Sequence, residues 1–136
     1  MTTTSVADHA PRRSTPGRAP NIALWLLQVL VALAFAAAGS GKLLGNPEMV
    51  ALFSAVGLGQ WFRYVTGSLE VLGALLLVVP GKPALGAILL ACVMAGAVVT
   101  HLTVLHNPPT AALVLFVLTA VIAWARRRQL AGLLGT

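Results

Sequence analysis

The sequence predicts an all-α membrane protein, a bundle of four transmembrane helices with a short interfacial helix between the first and second spans. Three observations predict it. Hydrophobic residues make up 58% of the chain and charged residues only 9%, a balance suited to lipid as solvent and foreign to a water-soluble domain. Apolar runs close to the roughly 20 residues needed to cross a bilayer recur four times between turn signals. Basic residues then collect at the margins of those runs, more on one side than on the other.

The 136 residues leave room for one such domain and exclude a large extramembrane part. Residues 1–21, MTTTSVADHAPRRSTPGRAPN, are rich in Thr, Pro and Arg and hold little that can pack, which reads as a disordered cytoplasmic tail. Arg12 and Arg13 are followed by polar residues, so an ordinary arginine pair fits better than a twin-arginine export signal. A signal peptide cleaved near Ala36 or Ala38 is the rival reading of this end, and it leaves the later spans in place.

The first span is expected over residues 22–43, ending in the small, polar patch Gly39, Ser40, Gly41 and Lys42. Asn46 then reads as an N-cap, Pro47 as the first helical residue and Glu48 as an acid suited to the positive helix end. Met49, Leu52, Phe53 and Val56 form an apolar stripe too short to span, and Gly57 and Gly59 stop it. Residues 47–56 are therefore expected to lie on the membrane surface, the stripe in contact with lipid.

The second span is expected over residues 62–79, before the tight VVPGKP connection, and the third over residues 84–105. His106, Asn107, Pro108 and Pro109 form a turn into the fourth, residues 109–125, which Arg126, Arg127 and Arg128 stop. The transmembrane domain thus covers residues 22–128, leaving a short tail at 129–136. In this arrangement one side receives Arg12, Arg13, Arg18, Lys82 and the arginine triplet, and the other only Lys42 and Arg63, which places both termini in the cytoplasm. Trp25 and Trp124 mark the cytoplasmic interface, Trp61 and Tyr64 the opposite one. The net charge of +6 is spent on this orientation and implies no nucleic-acid partner. Small residues such as Ala87, Ala91, Ala95, Gly67 and Gly73 permit close helix packing, within one chain or in a homo-oligomer.

Three ionisable residues interrupt the apolar runs: Lys42, Glu70 and His101. A charge inside a membrane is costly and is expected to face the bundle interior with a partner. By helical rise, Glu70 lies roughly 12 Å and His101 roughly 6 Å below the outer ends of their spans, with Lys42 near the end of its own. Arg63 stands two turns before Glu70 on one face with Thr66 between them, and Thr100 neighbours His101. These residues could line a small amphipathic pocket lidded by the surface helix. Glu70 and His101 are the candidate acid and base, with Lys42, Arg63, Thr66 and Thr100 as candidate ligand-binding residues. The structural alternatives are an ion pair of Glu70 with Lys42 or Arg63 that only joins spans, a hydrogen-bonded His101 and a snorkelling Lys42.

A single cysteine, Cys92, expected to be a small buried hydrophobe, excludes an internal disulfide and a C-x-x-C pair, so redox chemistry would need a borrowed carrier. No spacing of His, Cys, Asp or Glu suggests a metal. The chemistry available is proton handling. A quinone headgroup, whose reduction places charge on oxygen and takes up protons, needs such groups, and so does a lipophilic substrate undergoing isomerisation or cyclisation.

The G-S-G-K patch at 39–42, GLGQWFRYVTGSLEVLGALLL at 57–77 with its intramembrane Glu70, and GAVVTHL at 96–102 together resemble the DoxX family of small bacterial membrane proteins. The resemblance covers about residues 22–128. It implies a four-span bundle in the bacterial plasma membrane. For some relatives it also implies membership of membrane-bound oxidoreductase systems, including a thiosulfate-oxidising complex that passes electrons to quinone. The expectation that follows is a quinone-associated subunit acting with redox partner proteins. A small membrane isomerase or cyclase and a non-catalytic scaffold are the alternatives.

Overall fold

The computed structural model describes residues 18–135. Arg12, Arg13 and most of the expected tail lie outside the described residues. The chain forms α1 (Arg18–Leu43), α2 (Pro47–Val56), α3 (Gln60–Val78), α4 (Pro83–Thr100, prolonged by a wider π-helical turn, His101–Leu105), α5 (Thr110–Ala125) and α6 (Arg127–Leu133). Among the described residues there is no strand, and the fold is an all-α polytopic membrane bundle. The first helix starts at Arg18, a turn earlier than the sequence suggested, and α6 occupies part of the expected C-terminal tail.

Helices α1, α3 and α4 with its π turn are long and apolar enough to cross a bilayer. Helix α5, at 16 residues, is about 24 Å long, short of the roughly 30 Å hydrocarbon core. After a 58° bend its apolar character continues into α6. Helix α1 shows why the bundle belongs in lipid: Leu26, Leu30 and Leu33, each more than 60% exposed, form an outward stripe at helical spacing that water would not tolerate.

The buried core runs through Val31 and Phe35 of α1, Ala74 and Leu77 of α3, Ala87, Leu90 and Met94 of α4, and Ile122 of α5. Packing proceeds from α1 to α3, from α3 to α4 and from α4 to α5, while α5 touches α1 only lightly. In a membrane such contacts rest on close van der Waals fit, because lipid tails offer helices no hydrophobic reason to associate. Two glycine crossings provide that fit. A Cβ on Gly39 would sit 2.8 Å from the Gly67 carbonyl oxygen, and one on Gly86 would sit 2.7 Å from that of Gly73. Gly67 and Gly73 are six residues apart, hence about a third of a turn apart around α3 and about 9 Å along it. Helix α3 therefore lies tight on α1 near its own start and tight on α4 nearer its end.

At the end of the bundle where α1 begins and α5 finishes, Gln28 is fully buried, its Nε2 donating to the Leu77 carbonyl at 3.0 Å. Arg126 Nε donates to Gln28 Oε1 at 2.8 Å and its Nη1 to Asn21 Oδ1 at 2.9 Å. The bend before α6 thus holds α1 and, through Gln28, α3. The Arg126 and Arg127 guanidiniums lie over the rings of Trp25 and Trp124, so arginines and tryptophans share this end as the sequence pattern predicts.

Candidate functional site

The opposite end is built around the turn from α1 to α2. Asn46 Oδ1 accepts the Glu48 amide at 3.1 Å, the expected N-cap, and Gly57 closes α2 at φ 82°, where a side chain would be strained. Phe53 of α2 is buried and its ring meets that of Phe62 of α3 at 5.8 Å. The stripe expected to rest on lipid is turned the other way: Met49, Leu52, Phe53 and Val56 all line a cavity inside the bundle. The short 57–59 connection folds α2 back against α3, so its apolar face finds protein in place of membrane.

Helix α3 supplies the charge. Glu70 is buried in the spanning segment, and its Oε2 lies 3.0 Å from Lys42 Nζ on α1. The pair sits beside the Gly39–Gly67 crossing: a Cβ on Gly67 would meet Lys42 Cβ at 3.0 Å, and one on Gly39 would meet Glu70 Cβ at 3.2 Å. The absence of side chains at these glycines lets the lysine and glutamate backbones come close enough for a direct ion pair. Low polarity strengthens its attraction and forbids either member to stand alone.

Arg63, 4% exposed, does not line the cavity. Its Nη1 donates to the Lys42 carbonyl, its Nε to Gln60 Oε1 at 2.7 Å, and its guanidinium lies 4.4 Å from the Tyr64 ring centre. Gln60 in turn donates to the Val50 carbonyl and to Ser54 Oγ on α2. Arg63 is thus the centre of a polar lock that fixes the end of α1, the start of α3 and the lid helix α2, and through the Lys42 backbone it positions the Lys42 side chain.

Thr66 and Thr100 line the cavity, each hydroxyl donating to its own helix at 2.8 Å, to the carbonyls of Phe62 and Gly96 respectively. With the proton committed, each oxygen keeps acceptor capacity toward the cavity. His101 lines it from the first residue of the π turn, a local widening of a helix that recurs at functional sites. Its Nδ1 lies 2.5 Å from Asn107 Oδ1, and its carbonyl accepts the amides of His106 and Asn107. The turn therefore folds back on His101 and holds the ring through one nitrogen.

The cavity measures about 700 Å³, the size of a small-molecule site. Its wall is mostly aliphatic and aromatic, and its polar groups are Lys42, Glu70, Thr66, Thr100 and His101. The fold therefore brings five of the six candidate residues to one chamber and leaves Arg63 behind it. Cys92 is exposed on the bundle surface while also bordering the cavity. An apolar run cannot distinguish a lipid-facing position from a core one, which is why its burial was misjudged. The sequence reading passed over Gln60 and Asn107, whose signal was only their place beside Arg63 and His101. It also passed over Gln28, a polar residue within an apolar span and a clear signal by the cost argument applied to Glu70. Among the described residues no group of His, Cys, Asp and Glu could hold a metal ion.

These features define a polytopic membrane protein whose helices line an apolar chamber ending on the part-buried Lys42–Glu70 ion pair. The profile of the DoxX-like family matches residues 26–125, most of the chain and all the groups just described. The chain belongs to the DoxX-like family. No curated protein and no solved structure matches it.

Proposed function

We propose that this protein binds a lipophilic carbonyl compound of the quinone type and serves, with redox partner proteins, as a membrane subunit of an electron-transfer or redox-stress system. The observation that carries the reading is the chamber itself: an apolar wall suited to a hydrocarbon-rich molecule, with an ammonium, a carboxylate, an imidazole and two hydroxyls along it. The donor set fits a quinone. Lys42 has ammonium protons beyond the one directed at Glu70, available to a carbonyl oxygen. Thr66 and Thr100 offer acceptors to a hydroxyl.

A quinone, when bound, supplies two-electron, two-proton redox chemistry, the electrons coming from or going to a partner protein of the same membrane. The chain's own residues handle charge and protons. Lys42 offsets negative charge developing on a ligand oxygen, Glu70 keeps Lys42 placed and charged, and His101, held through Nδ1, is free at Nε2 to exchange a proton. The basic-residue pattern supports a plasma-membrane orientation with the Arg126 end in the cytoplasm and the chamber toward the outer leaflet.

Binding of a fluorescent or radiolabelled quinone analogue to the purified protein in nanodiscs tests the reading. Saturable binding that Glu70→Gln and His101→Ala each weaken about tenfold or more, with helicity retained, is the expected result. Absence of saturable binding by the wild-type chain would overturn it.

A further inference from the structure

The two glycine crossings have a geometric consequence for the chamber. Helix α3 is pinned to α4 at Gly73, where an added Cβ would strike Leu90 side-chain carbons at 2.5 and 2.6 Å, and at Gly86, where it would strike the α3 backbone. It is pinned to α1 at Gly67 and Gly39, near the Lys42 end. Going from Gly73 toward that end, the next α3 residues on the α4 side are Leu69 and Val65, one and two turns along. On α4 the next residues beyond Leu90 are Val93 and Ala97. None of the four closes the seam, for all of them line the cavity. Having followed α1, α3 parts from α4 and leaves a cleft that widens toward the Lys42 end.

The edges of this cleft reach the bundle surface. Val65 is 43% exposed, and Cys92 and Gly96, a turn apart on α4, are exposed as well, yet all three border the chamber. Gly96 has nothing within 4 Å of where a Cβ would stand, so no neighbour covers the gap there. These residues lie within two helices of spanning length, so the surface they open to is lipid-facing. The seam carries no charge. The polar groups gather toward the Lys42 end: Thr66 two turns from Gly73 on α3, His101 one turn beyond Ala97 where α4 widens, and Lys42 with Glu70 beside the Gly39–Gly67 crossing.

We infer that the chamber is loaded sideways from the bilayer, through the cleft between α3 and α4, by a single-tailed amphiphile whose polar head meets Lys42 and Glu70 while its tail stays in the cleft against lipid. This rests on the binding role proposed above and adds the route and the shape of the ligand. Helix α2, tied down by the Arg63–Gln60 lock, lines the Lys42 end of the chamber, and the gap between α3 and α4 is the way in for a ligand with a tail; a tail-less head does not depend on it. The apolar run of Leu69, Val65, Val93 and Ala97 disfavours entry of free anions and water-soluble acids by this route, because none of the four replaces their hydration.

A plug in the cleft provides the test. Gly96→Phe adds a ring where the structure has open space, with Gly96→Ala as its small counterpart and Cys92→Trp as a second plug should the first reduce expression. Binding of a long-tailed benzoquinone and of the same headgroup without a tail is measured for each in nanodiscs. The expected result is a loss of about tenfold or more in association rate for the long-tailed probe in the plugged protein, with the tail-less head within about twofold of wild type. Equal loss of both probes, or of neither, would overturn lateral loading while leaving the chamber's binding role intact. If the wild-type protein binds neither probe, the proposed function fails first, and the cleft is then decided separately by a fluorophore on Cys92. Strong quenching by nitroxide-labelled lipid supports an opening to the bilayer, and quenching only by a water-soluble nitroxide overturns it.

Discussion

The Gly39–Gly67 crossing can be tested by a comparison internal to α1. Gly39→Ala and Gly41→Ala lie two residues apart in one helix, so both gain about the same intrinsic helix propensity, roughly 0.5–1 kcal/mol. They differ in what the new methyl meets. At Gly39 it stands 2.8 Å from the Gly67 carbonyl oxygen and 2.8 Å from Val71 Cγ2, whereas at Gly41 nothing lies within 4 Å. Reaching ordinary contact at Gly39 requires α1 and α3 to move apart by more than half an ångström, and one of the atoms in the way is backbone. Overpacking of this kind costs about 1–3 kcal/mol. Gly39→Ala is therefore expected to be less stable than Gly41→Ala by about that amount, with Gly41→Ala at or slightly above wild type. Reversible unfolding in mixed micelles, followed by helical circular dichroism over a denaturing-detergent titration, measures the difference. Equal stabilities for the two variants would refute the close crossing, and with it the account of why Lys42 reaches Glu70.

The remaining expectations follow from the polar contacts. Glu70→Gln leaves Lys42 without its counter-charge and is expected to cost about 3 kcal/mol, somewhat less to the extent that the lysine can reach water; adding Lys42→Met should recover part of that loss, and the same micelle titration reads both. Arg63→Lys loses the fork that spans the Lys42 carbonyl and Gln60, and should destabilise by about 1.5–3 kcal/mol with increased hydrogen exchange across α2. Gln28→Leu, at the far end, strands the Leu77 carbonyl's partner bond and the Arg126 contact; a loss of about 1–3 kcal/mol is expected with quinone-analogue affinity unchanged, which separates the structural cluster from the ligand site. His101→Ala should change stability by less than about 1 kcal/mol while weakening the analogue roughly tenfold, since its ring hydrogen bond goes only to Asn107 in an exposed turn.

Much of the architecture was legible in the sequence because the bilayer imposes simple constraints. Span length follows from hydrocarbon thickness, so runs of the right length located α1, α3 and α4 to within a few residues. Asn46, Pro47 and Glu48 gave the start of α2 because capping is a local matter of unpaired amides, and Gly57 its end. The cost of a lone charge in lipid was enough to single out Lys42, Glu70 and His101 without any knowledge of contacts. Tertiary structure alone decided what hydrophobicity cannot encode, namely which apolar face meets protein and which meets lipid. The stripe of α2 and the surface position of Cys92 were misjudged for that reason, since membrane and core are equally apolar solvents for a side chain. It also decided among partners. Lys42 and Arg63 were both in reach of Glu70 by spacing, and only the approach of α1 and α3 at Gly39 and Gly67 gave the carboxylate to the lysine and left the arginine to hold the backbone behind it. The chamber exists because α3 cannot lie tight on α1 and α4 at the same height, a fact about two crossings a third of a turn apart that no single helix carries.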